Sequence, residues 1–249
     1  MPLKPRQEEI LSILSRDGYA TVKKLVDELH YSSATINRDL NSLETQTLVK
    51  RTHGGVKPTD SRYVPISFRS HIMHAQKRKI GKLSASFVCD GDTIFIDGST
   101  TAQYIGQYLL TKKDLTVVTN NMILACDLSQ SGVKTVCLGG EVAEQPSMLF
   151  STETVENALK YRYDKMFFST PAVSENGLIA SGIYDLLFKA VGGRCKEVYY
   201  LVDSNKLNKP FSAVCCDFGL VTAVVSDFDF PAKTKNLYPS VKFYNAENE

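Results

Sequence analysis

What this chain lacks narrows its class before any motif is read. Its six cysteines include no C-x-x-C pair and its four histidines join no Cys or His cluster at ligand spacing, so neither a zinc module nor a disulfide framework is indicated. Cys89, Cys126, Cys137, Cys195, Cys215 and Cys216 stand mostly inside apolar runs and are expected to be reduced core residues. There is no apolar N-terminal signal segment, and no unbroken apolar run approaches the roughly 18 residues of a membrane span. A cytoplasmic chain without a membrane partner is therefore expected. Neither sign of charge dominates, the net charge being +2. What is present is a globular composition, 43% hydrophobic and 22% charged over 249 residues. That is enough to bury a substantial core in one large domain or two, and it is unlike a disordered or fibrous chain.

The small net charge conceals an uneven distribution. Residues 50–82 carry nine Lys and Arg against one Asp, whereas residues 83–249 are net acidic. Ahead of the basic stretch lie three segments with helical spacing. Ile10, Ile13 and Leu14 follow Pro5, and Val22, Leu25, Val26 and Leu29 follow the expected cap Thr21, with Asp17-Gly18 between the two. The third segment begins at Ser32, where Ser32 and Ser33 can cap a helix start. Its Ile36, Leu40 and Leu43 recur at i, i+4 and i+7 and form one apolar stripe, which turns Ala34, Arg38, Asn41 and Thr45 outward. The tight His30-Tyr31-Ser32 connection gives the spacing of a helix-turn-helix, whose second paired helix enters a DNA major groove. The candidate groove residues are Ser33, Thr35, Asn37, Arg38 and Asn41, with Arg38 foremost.

Next, Leu48 to His53 reads as a strand, Gly54-Gly55 offers the positive φ of a tight turn, and Val56-Lys57 begins the return. This is a wing, and Lys50, Arg51, His53, Gly54, Gly55 and Lys57 are its candidate DNA contacts, the cations reaching phosphates. A packed three-helix core would show the same stripes without DNA; the basic wing is what favours a nucleic-acid partner. Lys77-Arg78-Lys79, read alone, fits a solvated face as well as a phosphate-facing one.

Domain boundaries are expected at residues 1–57 for the winged helix, 58–75 for a linker carrying Pro58, Asp60, Ser61 and Pro65, and 76–249 for a second domain. A helix near Ala75 opens that domain, with Ile80, Leu83, Phe87 and Val88 packing and Lys77, Arg78, Lys79 and Lys82 left in water or facing phosphate. Apolar runs then alternate with amphipathic helices: 93–96, 115–118, 135–138, 165–168, 198–202 and 221–226. That alternation predicts a mostly parallel sheet covered on both faces, and ligands of such sheets lie beyond the strands' carboxyl ends. The residues there are Asp97, Gly98, Ser99, Thr100 and Thr101, then Thr119, Asn120 and Asn121, then Gly139 and Gly140, then Asp203 and Lys206. Gly98 would let a ligand approach the backbone, and the hydroxyls beside a helix start suit phosphate. Asp97 can accept from sugar hydroxyls, and Lys206 can supply a counter-charge. A phosphorylated polyol satisfies this set, and no cofactor or metal is called for.

Taken together these motifs resemble the DeoR family of bacterial transcription regulators along nearly the whole chain. The residues that carry the likeness are Thr35-Ile36-Asn37-Arg38-Asp39-Leu40, Arg51-Thr52-His53-Gly54-Gly55, Asp97-Gly98-Ser99-Thr100-Thr101, Val118-Thr119-Asn120, Leu138-Gly139-Gly140 and Asp203-Ser204-Asn205-Lys206. The resemblance implies a winged helix joined to an α/β sensor of sugar-phosphate-isomerase-like type. It implies a homo-oligomer, dimer or tetramer, acting as repressor of a carbohydrate operon under control of a phosphorylated sugar and associated with the nucleoid when on DNA. Three departures stand out: Asn37 where the family commonly has another Arg, Phe167-Phe168-Ser169-Thr170-Pro171 in a segment usually richer in glycine, and an apolar Asp185-Leu186-Leu187-Phe188-Lys189. The rival readings are a sugar-phosphate isomerase with an accessory helical domain, with Asp97 or Glu141 as general base, and a winged helix used to bind protein.

Overall fold

In the computed structural model, which describes residues 4–46, 48–59, 73–143, 148–182 and 185–248, the chain divides into two compact units, Met1–His74 and Ala75–Glu249. Most of the expected linker, including Asp60, Ser61 and Pro65, and the cations Arg62 and Arg69 lie outside the described residues.

The first unit holds α1 (Pro5–Asp17), α2 (Val22–Leu29), α3 (Ser33–Thr45) and the strands β1 (Val49–Thr52) and β2 (Gly55–Pro58). The local signals act as read. Pro5 occupies the first turn of α1, and Gly18 ends that helix in the left-handed region at φ 71°. Thr21 caps α2 by accepting from Lys24 N, and Ser32 caps α3 by accepting from Thr35 N. Ile10, Leu11, Ile13, Leu14, Leu25, Ile36, Leu40, Leu43, Leu48, Val49 and Val56 pool into one core that three short helices could not bury separately. The hairpin is antiparallel, with Thr52 opposite Gly55, and Ala20 pairs with Val56 to fasten the wing to the α1–α2 connection.

The second unit opens with α4 (His74–Ser86) and is built on β3 (Thr93–Ile96), β4 (Thr116–Thr119), β5 (Lys134–Cys137), β6 (Tyr163–Phe168), β8 (Cys195–Val202), β10 (Ala223–Ser226) and β11 (Lys242–Asn245). These form one sheet in the order β11-β10-β8-β6-β3-β4-β5, with every pairing parallel. Alternation sends Ile94 and Ile96 to one face, against Ile80, Leu83, Ile105, Leu124 and Leu128, and sends Phe95, with Met166 and Phe168, to the other, against Ala158, Leu187, Val191 and Phe218. Both faces are thus covered, which is why the central strands read as continuous apolar runs.

Three expectations are refined or corrected by the fold. The helix expected after the Asp97–Thr101 loop is present but short and of 3-10 type, Ala102–Tyr108. β11 and the small antiparallel pair β7 (Leu178–Ala180) and β9 (Val214–Asp217) were not foreseen, because β11 is a half-exposed edge strand and β7 is three residues long with a register shift. Only Cys216 is a buried cysteine: Cys89, Cys126 and Cys137 are exposed, and Cys195 and Cys215 half-buried. Short apolar runs locate strands, but they do not say which end of a strand a given residue occupies.

Candidate functional site

On the first unit, α3 buries Ile36, Leu40 and Leu43 and leaves Ala34, Arg38, Asn41 and Thr45 exposed, the division its spacing predicts. Ser33 is exposed at the helix start, while Thr35 and Asn37 are half-buried on its flanks. Across from them Lys50, His53, Gly54 and Lys57 are exposed on the wing. The two wing glycines serve different needs. Gly54 takes the left-handed φ of 91°, whereas Gly55 has ordinary φ, and a Cβ there would stand 2.3 Å from Tyr19 Oη and 2.5 Å from Ala20 O. Arg51 does not extend to solvent as expected of a phosphate contact; it is half-buried and its Nη2 donates to Asn37 Oδ1 at 2.7 Å.

A further residue was missed by reading outward faces. Asp39 sits on α3 at 2% exposure, ion-paired with Arg6 of α1, whose guanidinium also lies 4.9 Å from the Tyr31 ring centroid. Its place among apolar neighbours, next to the Leu40 stripe, was the available signal: a carboxylate there needs a cation.

On the second unit, β4 and β5 lie to one side of β3 while β6, β8, β10 and β11 lie to the other, so the strand order reverses between β3 and β6. That is where open α/β sheets form their ligand crevice, at the carboxyl ends. The Asp97 loop leaves β3 there, and Ser169 follows β6; the two are tied by Ser169 N donating to Asp97 Oδ2 at 3.2 Å. Asp97 Oδ1 accepts from Ser99 N at 3.1 Å and also from Ser99 Oγ. Burial pushes the Asp97 carboxyl up to about 6, with these hydrogen bonds and the Lys206 charge pulling against it.

Two lysines meet the neighbouring hydroxyls. Lys206 Nζ donates to Thr101 Oγ1 at 2.7 Å and Ser169 Oγ at 2.6 Å and lies 3.6 Å from Asp203 Oδ2; Asp203 is fully buried and accepts from Thr101 Oγ1. Lys77 corrects the sequence reading. Rather than facing water, it is 3% exposed and its Nζ donates to Thr100 Oγ1 at 3.2 Å, bringing α4 into the site. Its register on an amphipathic helix was the signal, since Lys77 shares a stripe with Ile80, Gly81 and Ser84, all buried.

Other expected residues have structural work. Thr119 Oγ1 donates to Ile96 O, and Asn121 caps the helix Met122–Gln130 through Ile123 N and Leu124 N. Gly139 and Gly140 have φ 72° and 116°, and a Cβ on Gly140 would meet Thr154 Oγ1 at 2.1 Å. Gly98 does not open a path to the backbone, because Met148 fills the space its Cβ would occupy. The 3-10 helix start is also spent internally: Ala102 N donates to Ser99 Oγ and Gln103 N to Ser99 O. Asn120 differs. It is 1% exposed, its Nδ2 donates to Leu149 O at 3.1 Å, and its Oδ1 is buried without a partner among the described residues.

A helix-turn-helix with a basic wing, followed in the same chain by a doubly wound sheet whose switch point gathers lysines and hydroxyls, defines a ligand-sensing DNA-binding regulator. Residues 6–62 match the DeoR-like helix-turn-helix domain and residues 72–228 the DeoR C terminal sensor domain, and the chain belongs to the DeoR family. It is 33% identical to the HTH-type transcriptional repressor GlcR of Bacillus subtilis over 80% of this chain and 78% of that protein. It is 27% identical to the lactose phosphotransferase system repressor of Staphylococcus aureus (93% and 95% covered) and to the glycerol-3-phosphate regulon repressor of Escherichia coli (89% and 90%). Ribose 5 phosphate isomerase A from Neisseria gonorrhoeae overlays 53% of this chain and 52% of its own, at 14% identity and a TM-score of 0.39, an overlap too partial to speak to chemistry. The protein is a transcriptional regulator and not an enzyme. The isomerase alternative is set aside, in keeping with Glu141 being exposed and both Asp97 oxygens being engaged within the protein.

Proposed function

We propose that this regulator represses a carbohydrate-utilisation operon and that a phosphorylated sugar at the β3–β6 crevice controls its hold on operator DNA. The observation that carries the effector half is the pair of ammonium groups, Lys77 and Lys206, donating to the adjacent hydroxyls of Thr100 and Thr101 beside Ser169. Such a cluster can exchange neutral hydroxyl acceptors for anionic phosphate oxygens, which add the attraction of opposite charges to the hydrogen bond. Asn120 Oδ1, buried without a partner among the described residues, suits a donating sugar hydroxyl. The names of the relatives, which include phosphotransferase and glycerol-3-phosphate repressors, support the same chemistry.

The DNA half rests on α3 and the wing, with Arg38 reading bases in the groove and Lys50 and Lys57 against phosphates. Paired half-sites would call for at least a dimer. The effector acts only through a difference in its affinity for the DNA-competent and DNA-incompetent states. The region of the expected linker, residues 58–75, is the connector through which that difference passes.

The test is fluorescence anisotropy on the duplex upstream of the gene, with a panel of pentose, hexose and triose phosphates. Arg38→Ala should lower operator affinity about 5- to 150-fold while sparing the fold, the loss of one bidentate base contact being worth about 1–3 kcal/mol. Lys206→Ala should leave operator affinity intact and abolish the response to whichever sugar phosphate shifts the wild type. Full sequence-specific binding by Arg38→Ala, or an unaltered response in Lys206→Ala, refutes the corresponding half.

A further inference from the structure

Asn37 and Arg51 share a local geometry that an amide reading a base on its own does not explain. Asn37 Nδ2 donates to Ser33 O at 2.9 Å and Ser33 Oγ at 3.3 Å, and its Oδ1 accepts from Arg51 Nη2 at 2.7 Å. The same Nη2 reaches Asn37 O at 3.4 Å, and the backbone N of Arg51 donates to Glu44 Oε1 at 3.0 Å. An amide recognises adenine by donating from its nitrogen and accepting at its oxygen together. Here both nitrogen hydrogens point back along α3 and the oxygen is turned to the wing. Meanwhile Ser33, Asn37 and Glu44 fall on one strip of α3, at about 100° per residue, beside the exposed strip of Ala34, Arg38, Asn41 and Thr45. The guanidinium of Arg51 lies against Asn37, within the first two turns of α3, where a reading helix touches base edges. The wing cations that do reach solvent, Lys50 and Lys57, are exposed, whereas Arg51 is half-buried.

We infer that Asn37 and Arg51 form one specificity element, resting on the DNA-binding reading above: Asn37 is a positioning residue that holds the Arg51 guanidinium in plane, and Arg51, through its Nη1 side, contacts a base edge and not a phosphate. A guanidinium whose Nη2 is held by a planar acceptor is fixed in plane, and its Nη1 hydrogens are left to donate to an acceptor on a guanine edge. The position taken by Asn37 then tunes operator preference indirectly, by aiming an arginine that comes from the wing.

The experiment uses the full-length protein, a selection from randomised duplexes to define the preferred site, and affinities for every single-base variant of it at several salt concentrations. Arg51→Lys should flatten discrimination at one base pair by about tenfold or more while leaving the slope of log affinity against log salt unchanged. Asn37→Ala should flatten the same base pair, and Asn37→Asp, which still accepts from Arg51, should retain that preference. Amide exchange over residues 5–58 checks that each variant keeps its fold. Uniform weakening of every duplex by Arg51→Lys, with the salt slope reduced by about one, would make Arg51 a phosphate contact and overturn the proposal. So would an altered preference at a different base pair in Asn37→Ala, which would make the amide itself the reader. A wild type that enriches no sequence refutes the DNA-binding reading and this element with it, whereas a wild type that enriches one leaves that reading standing whichever way the variants fall.

Discussion

Replacing Arg6 by Met tests how the groove-facing helix is held. Asp39 is 2% exposed on α3, and its carboxylate is ion-paired with the guanidinium of Arg6, whose side chain is 25% exposed. The magnitude lies between two limits. A fully exposed pair contributes about 0–1 kcal/mol, and breaking a buried pair costs about 3–5 kcal/mol because a charge is left unpaired. With one partner buried and the other partly in water, about 2–3 kcal/mol is expected, to which loss of the Arg6–Tyr31 contact adds up to about 1. For a unit of some 70 residues that is a fall of roughly 10–20 °C in its melting temperature. Hydrogen exchange followed by mass spectrometry on the full chain separates the units: peptides within 5–58 should exchange at least tenfold faster in Arg6→Met, and those within the seven-stranded sheet should not change. The double variant with Asp39→Asn removes the stranded charge and should recover part of the loss. If Arg6→Met costs under 1 kcal/mol, or if adding Asp39→Asn only deepens the loss, the pair is an ordinary surface contact and the reasoning fails.

Asp97→Asn should change the pH profile of stability in a defined direction. The folded carboxyl, held near 6, keeps its proton more tightly than the ordinary 3.8 of an unfolded chain, so its contribution is fully present below about 3.8 and is lost as pH rises through about 6. The melting temperature of Asp97→Asn minus that of the wild type should therefore increase between pH 4 and 7, and a flat difference in calorimetry would show that the carboxyl titrates normally. Gly55→Ala should destabilise the winged unit by about 1–3 kcal/mol through overpacking against the Ala20 carbonyl and Tyr19. In the exchange experiment the hairpin 49–58 should open before α1–α3, and equal protection to the wild type would mean that the wing yields without cost.

Much of the winged unit was legible because its determinants are local. Thr21, Ser32 and Gly18 act within one helical turn, and the stripe of Ile36, Leu40 and Leu43 fixes which side of α3 faces out. The sheet was legible as a class for a similar reason, since strands covered on both faces must be apolar throughout. Strand order was not, because parallel pairing joins residues as far apart as Lys165 and Ile94 or Tyr199 and Ala223. Without the order there is no switch point, and so Ser169 went unmarked although it directly follows a recognised strand. Lys77 could not be told from the wet cations beside it because a long cationic side chain ordinarily stays in water, and its burial, with a hydrogen bond to the Thr100 hydroxyl 23 residues away, is set by packing.

The amino-acid order alone therefore determined two things: a helix with Arg38 facing outward beside a basic turn, and an α/β unit whose strands end in small polar residues. Both follow from periodicity and capping, which act over a few residues. The tertiary structure decided which of those residues stand together. Lys77, Thr100, Thr101, Ser169, Asp203 and Lys206 are brought together by hydrogen bonds beyond the carboxyl ends of β3 and β6, and Arg51 is bound to Asn37, because hydrogen bonds and burial depend on distances that packing alone sets.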